Sequence, residues 1–551
     1  MTVENRKGEI FMTFEKYIEG MSTRDLVAQL LCPALRATYK ENSDPREYFE
    51  NVFKDCDVKP GAFYIFPSKH DDIVELTKML KERGGNYPLF ATDMETSPSF
   101  IMDTGTQFGS AMVISAANSE EDAYTAGESC AKEGLEVGVH WTFGPVLDMC
   151  LSPIASTNTR AWGNEHNQVS KMTGAFIKGV QENGALATGK HFPSPDGKKM
   201  ADSHIHATFN DMTMDEWMDV YGKTWKAAID NGLSAIMPSH CCFPAAEPDG
   251  KIIPCTLSYN VITKLLREKL GFDGIVVSDG FNMGGLVPYV RYDKAYVRAI
   301  QAGCDMLIFT NFCSPMTETV DILEKAVNDG EITIERIKES VYRIYKAKER
   351  LGLFDEEKDN SYTPVSAEER EKFKNAAKRI GENSVSIFKN EAGHLPFDKN
   401  KIKKIISVDL TNTERKRDCQ LDKVMRAKGI EVFKYGEYEE GGIVSVEDLP
   451  KADALILNFF YGFVWGGNNI QPAGKMLQKV YEYLFKLDIP VIMICHGSPF
   501  IPCTFPYAKT VIDTFSMTEA NPEGLYDILF GKKEAKGVMP VELNLRQPQI
   551  D

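Results

Sequence analysis

Eight short apolar runs recur between about residue 25 and residue 310, each closing on polar residues and followed by a helical pattern. They are Ala28–Cys32, Phe63–Phe66, Pro88–Asp93, Val139–Val146, Ala185–Lys190, Leu233–His240, Gly274–Asp279 and Cys304–Thr310. Intervening segments such as Asp122–Gly134 and Gln168–Gly184 repeat apolar residues at i, i+3, i+4 and end in glycine, as helices do. Continuous apolar strands alternating with helices predict an α/β fold whose parallel sheet is covered on both faces. Eight of them fit a (β/α)8 TIM-like barrel, and an open doubly wound sheet gives much the same pattern.

The barrel reading makes a specific arrangement of polar residues. Asp93 closes the third run, Asp148 follows the fourth, and Lys190 and His191 close the fifth. His240 closes the sixth and Asp279 the seventh. All are at carboxyl ends of strands, the face on which barrel enzymes build their sites.

The densest of these ends is Gly189 to His206, reading GKHFPSPDGKKMADSHIH. Three lysines, two carboxylates and three histidines share these eighteen residues. Pro193, Pro195 and Gly197 stop a helix from continuing, so the stretch is a loop hung from a strand. A lone polar residue on a loop is usually just surface. Eight ionisable groups in one short loop, aimed at by other strand ends, point to chemistry.

Length and charge bound the rest. A chain of 551 residues exceeds one compact core. We expect a catalytic barrel over residues 1–354, a charged linker at 355–380 and a smaller α/β sandwich domain over 381–551. Two helices follow the eighth run, Ile334–Arg350 being strongly amphipathic. The stretch 355–374, DEEKDNSYTPVSAEEREKFK, reads as a linker leading into a solvated helix start. Beyond it Ile402–Val408, Ala454–Phe459, Pro490–Cys495 and Thr510–Phe515 repeat the strand–helix alternation. The aromatic piece FFYGFVWGGNN reads as packing before groove lining. A net charge of −16 argues against nucleic acid or an anionic membrane as partner. No run is long enough for a transmembrane helix, and MTVENRKGEIFMTFEKYIEG lacks a signal peptide's apolar core. Twelve scattered cysteines without a CxxC pair suit a reduced, cytoplasmic protein.

KHFPSPDGKKMADSH resembles the lysine–histidine and aspartate–serine–histidine signature of glycoside hydrolase family 3, closest to its β-N-acetylhexosaminidase branch. GIVVSDGFNMGGL resembles the family's nucleophile segment, and WTFGPVLDM, TRAWGNE and NSVSIFKNEAGHLPF match in order and spacing. The resemblance spans about residues 25–540. It implies a barrel followed by an α/β sandwich, a carbohydrate substrate, and neither metal nor organic cofactor. It implies Asp279 as nucleophile, although an Asp before a turn also caps helices. It further implies His204 as proton donor, oriented by Asp202, with His206 as a competitor two residues on. Asp93, Arg160, Lys190 and His191 would bind sugar hydroxyls, and His240 would line the same pocket. Retaining hydrolysis needs such a carboxylate and proton donor on either side of the scissile bond.

The chain departs from that pattern in two places. The loop between Pro193 and Asp202 is one residue longer than usual. The family's DQEGGR segment is DMETSPSF here, keeping Asp93 and Glu95 but losing the glycine pair and the arginine. Rival readings are a family 3 β-glucosidase, a glycoside phosphorylase, a catalytically dead sugar-binding protein and a metal-dependent amidohydrolase. Asp202-Ser203-His204 argues against the glucosidase. In amidohydrolase barrels the HxH pair precedes the lysine, and here it follows.

Overall fold

The computed structural model describes residues 3–4, 10–11, 14–36, 49–50, 52–54, 56–84, 87–153, 155, 157–195, 202–309, 315–355, 357–413, 419–439, 442–462, 472, 474–516 and 521–543. Eight parallel strands form the first sheet: β1 Leu31–Leu35, β2 Ala62–Ile65, β3 Leu89–Thr92, β4 Trp141–Thr142, β5 Leu186–Phe192, β6 Ala235–Pro238, β7 Ile275–Val276 and β8 Leu307–Phe309. They pair in chain order, and β8 pairs with β1. A parallel bridge between Val277 and Met306 brings the last two strands together, so the sheet curls into a TIM-like barrel.

The first strand lies later than expected. Ala28 ends a helix, Thr23–Ala28, started by Ser22, whose side chain accepts from Asp25 N–H. One apolar run thus serves a helix end and a strand, which apolarity alone does not separate.

Strand alternation sorts the core into two layers. Ala62, Leu89, Ala91, Trp141, Leu186, Ala235, Met237, Ile275, Val277 and Met306 fill the barrel interior. Phe63, Phe90, Ala187, Ile236, Val276 and Leu307 face the helices. Each of the larger aliphatic and phenyl side chains, fully buried, contributes about 1.5–3 kcal/mol. The same parity predicts what reaches the top of the barrel. Leu89 and Ala91 lead to Asp93, Leu186 and Thr188 to Lys190, and Ile275 and Val277 to Asp279.

Among the helices, α1 spans Glu120–Glu136, α2 Ile334–Arg350 and α3 Ala367–Asn383. The stretch 355–374, expected to be a linker and a solvated helix start, therefore holds the first eight residues of α3, and α3 is docked. Ser366 and Glu369 close a capping box at its start. Phe373, Ala376 and Ile380 enter the barrel's core cluster. Arg370 pairs with Glu136 and Lys372 with Glu128, both 2.5 Å, and Arg379 pairs with Asp122, all on α1. The charges read as solvated face α1.

The second sheet is six-stranded: β9 Ser386–Asn390, β10 Lys404–Thr411, β11 Glu431–Gly436, β12 Ala454–Phe460, β13 Val491–Cys495 and β14 Thr510–Asp513. Its order is β9-β14-β13-β12-β10-β11, parallel except for β9. Ile405, Ile456 and Ile494 pack on one face, Ile406, Leu457 and Met493 on the other. Of FFYGFVWGGNN, Phe459 and Phe460 are buried on opposite faces and Tyr461 is buried beside Phe459. Residues 463–469 lie outside the described residues.

This domain holds the segment 158–164 of the barrel. Asn158 Nδ2 donates to Ser498 Oγ at 3.0 Å, and Asn164 N–H donates to Pro540 O at 3.2 Å. Arg160 lies between those two anchors.

Candidate active site

A cavity of about 640 Å³ opens at the carboxyl end of the barrel, lined by Asp93, Glu95, Arg160, Lys190, His191, His204 and Asp279 among others. Six of the eight residues singled out from the sequence are therefore on one wall or another of it. Asp202 stands directly behind His204. His240 does not line it.

The nucleophile candidate is on the interior parity of β7. Asp279 Oδ1 accepts from Gly280 N–H at 2.7 Å, and no helix starts there, so it caps none. Burial pushes its carboxyl up, and the His191, His240 and His204 rings with the Gly280 N–H more than offset this. The group lies below the ordinary aspartate value and is ionised at neutral pH.

Asp202, 3 % exposed, holds His204 twice. Its Oδ1 accepts from His204 N–H at 3.0 Å and lies 2.7 Å from Nδ1. A carboxylate accepts only, so Nδ1 carries the hydrogen and Nε2 is the nitrogen left to exchange a proton in the cavity. His206, the competitor, is absent from the cavity lining, and its Nδ1 lies 3.1 Å from Ala207 O.

The floor is an ion network. Lys190 Nζ lies 2.7 Å from Asp93 Oδ1 and 2.8 Å from Glu95 Oε1. Arg160 donates to both Glu95 oxygens, Nε at 3.1 Å and Nη2 at 2.6 Å. Burial alone raises Glu95, yet Arg160 and Lys190 hold it well below the usual carboxylate range. Burial lowers Lys190 and Arg160, and their carboxylate partners more than restore them. Glu95, Lys190 and Arg160 stay charged, and the network presents fixed donors and acceptors to a polyol. His191 is fixed separately: Asp148 Oδ1 accepts from its N–H at 3.1 Å and Oδ2 lies 2.7 Å from Nδ1.

His240 is the residue the sequence reading misplaced. It follows Ile236 and Pro238 on the helix-facing parity of β6, so its ring falls outside the barrel mouth. It is fully buried, with Nε2 3.0 Å from Gly280 O and Nδ1 2.9 Å from Thr256 Oγ1. It props the turn after Asp279 from behind.

Two contributors went unassigned. Glu95 is the hub of the floor, two residues past Asp93 and thus of the same parity, a signal that was available. Tyr64 is on the interior parity of β2 and donates to Asp93 Oδ2 at 2.6 Å. Burial and Asp93 push its phenol well up, so it stays a donor. A tyrosine in an apolar strand carries no sign of that partner.

The model of the glycosyl hydrolase family 3 N-terminal domain matches residues 66–347. A β-N-acetylglucosaminidase/β-glucosidase of Cellulomonas fimi is 28 % identical over 482 residues, 82 % of this chain and 83 % of that protein. A β-hexosaminidase of Vibrio cholerae is 34 % identical over 210 residues, 38 % of this chain and 61 % of its own length. Among solved structures, a β-glucoside phosphorylase BglX bound to 2FGlc superposes with a TM-score of 0.85 at 28 % identity, over 96 % of this chain and 95 % of that one. A β-N-acetylglucosaminidase from Paenibacillus sp. shares the fold, with a TM-score of 0.81 at 23 % identity over 96 % of this chain and all of that one. The chain belongs to glycosyl hydrolase family 3.

Proposed function

We propose that this family 3 enzyme is a retaining exo-β-glycosidase that removes a terminal β-linked N-acetylhexosamine, or a related sugar, through a glycosyl ester on Asp279. The observation that carries this reading is that Asp279 and the Asp202-held His204 open on one cavity. His204 Nε2 gives its proton to the glycosidic oxygen as the bond from that oxygen to the anomeric carbon breaks. An Asp279 oxygen bonds to that carbon from the opposite face and inverts it. Water then attacks the same carbon, His204 Nε2 takes its proton, and the ester bond breaks. Asp202 supports the imidazolium formed in that second half. The Asp93–Glu95–Lys190–Arg160 floor and His191 bind the sugar hydroxyls, so positioning is prepared before substrate arrives. No step calls for a metal or an organic cofactor. Scattered free cysteines favour the cytoplasm as compartment. Among the described residues no helix is long and apolar enough to cross a membrane.

A second reading is a phosphorylase, favoured by the likeness to the β-glucoside phosphorylase at 28 % identity. A histidine donor repels an incoming phosphate less than a glutamate would. The test is a set of aryl β-glycosides differing only in sugar, turned over with and without inorganic phosphate. Hydrolysis predicts free sugar of β configuration first, seen by early proton NMR. Sugar 1-phosphate as the main product assigns the phosphorylase, and α product appearing first excludes an Asp279 ester.

A further inference from the structure

The loop bearing His204 is fastened to the segment that follows Asp279. Gly284 N–H donates to His204 O at 2.9 Å, and Gly285 N–H donates to Ser203 O at 2.8 Å. At Gly284 the contact is closer than a side chain permits, and at Gly285 it is tight. A Cβ on Gly284 would stand 2.4 Å from the carbonyl carbon of Ile205 and 2.5 Å from its oxygen. A Cβ on Gly285 would stand 3.0 Å from Ser203 O and 3.3 Å from His206 O. These are backbone atoms, and no rotamer relieves them. The loop adds its own turn, with Asp202 O accepting from Ile205 N–H at 3.2 Å and from His206 N–H at 3.3 Å. His240 supports the other end of the same segment through Gly280 O.

We propose that Gly284 and Gly285 are positioning residues for the proton donor, docking the His204 loop onto the Asp279 turn so that acid and nucleophile are held by one piece of backbone. The proposal rests on His204 being the acid. A donor acts only within hydrogen-bond reach of the leaving oxygen. Ordinary contact begins at 3.4 Å, so alanine at 284 displaces the Ile205 backbone by about 1 Å. A misplacement of about 1 Å costs on the order of 10²-fold in a step that needs the displaced group. Asp279 is five residues away on a strand end and stays in place.

The experiment compares Gly284→Ala, Gly285→Ala, His204→Ala and the double variant Gly284→Ala/His204→Ala, reading kcat/KM on dinitrophenyl and alkyl β-glycosides. Dinitrophenolate leaves without a proton and an alkoxide does not. Gly284→Ala should lose about 10²-fold on the alkyl glycoside and at most a few-fold on the dinitrophenyl one. Gly285→Ala should show the same preference more weakly, its contacts being longer. In the double variant Gly284→Ala should cost the alkyl glycoside nothing beyond His204→Ala. Equal loss on both substrates, no loss on either, or additive losses in the double variant overturn the proposal. Should Gly284→Ala not fold, the leaving-group preference of Gly285→Ala decides. A flat response to His204→Ala itself removes the acid assignment. A leaving-group preference in the glycine variants alone then shows that this loop carries a different donor.

Discussion

The barrel buries a carboxylate among cations at each end, and the two are finished differently. At the amino-terminal end Asp305 is fully buried, with Arg267 Nη2 at 2.6 Å, Arg336 Nη2 at 3.1 Å and Arg343 Nη1 at 3.2 Å. Ser340 Oγ and Val276 N–H also donate to it, at 2.7 and 2.9 Å. At the carboxyl end Glu95 is held by Arg160 and Lys190, and the group continues through Asp93 to the cavity. Asp93 is 41 % exposed where its partner Lys190 is 4 % exposed. One cluster is closed by protein on every side and locks strands to helices. The other leaves one side for a ligand. Ionisable groups alone do not mark a site; the open side does.

That contrast is tested first where function is concentrated. Asp279→Asn should lose several powers of ten in kcat, since an amide forms no glycosyl ester, with thermal unfolding unchanged. Retention of more than a few per cent of turnover removes Asp279 from the role.

His204→Ala should lose about 10²–10⁴-fold on substrates with poor leaving groups and far less on nitrophenyl glycosides. Asp202→Asn should reproduce part of that loss by misorienting the ring. His206→Ala, turned away from the cavity, should show a small loss that ignores the leaving group. The opposite pattern for the two histidines would reverse their assignment.

Removing each hub should then separate the two ends. Asp305→Asn leaves three arginines facing a neutral amide and should lower stability by about 3–5 kcal/mol, with kcat/KM per folded molecule nearly unchanged. Glu95→Gln should reverse the emphasis. Lys190 keeps Asp93, but Arg160 loses its charged partner and one of the two oxygens it donates to, so kcat/KM falls more than stability does. Denaturant titrations beside kinetics on the same samples check both. If Glu95→Gln costs only stability, the floor is a second structural lock.

Much of this was readable in advance, for one physical reason: buried strands advertise themselves. The central strands β10, β12, β13 and β14 are apolar on both faces and were read from the sequence. The two not read, β9 and β11, are the edges of that sheet, where half-exposed strands such as EVFKYG carry mixed residues. Asp93, Lys190, His240 and Asp279 were read only as strand ends; the first, second and fourth line the cavity, and His240, one residue off the interior parity, does not. Tyr64 depends on a partner distant in sequence, as does the docking of α3. Sequence position also hid the amino-terminal end: Asp305 and His140 stand just before β8 and β4, ionisable residues at strand starts that the structure closes with internal partners.

The smallest expected effect concerns acid. Burial alone raises the Asp305 carboxyl, and the three arginines overturn that and bring it down to about 2. Its folded value is below its unfolded value, so the native state binds fewer protons at this group. Its stabilisation is complete above the unfolded value near pH 4 and is lost as pH falls toward 2. A depression of nearly two units corresponds to roughly 2 kcal/mol across that window. Asp305→Asn should therefore be less stable than the parent at neutral pH, and the gap should narrow by about that amount between pH 4 and pH 2. Glu95 lies well below the usual range as well, and Glu95→Gln should flatten the same acid limb, with a loss at neutral pH that narrows as the pH falls. Urea unfolding at several pH values resolves both slopes. A gap for Asp305→Asn that stays constant down to pH 2 would mean that the arginines pack there without holding the carboxylate charged, and the contrast between the two ends would then rest on shape alone.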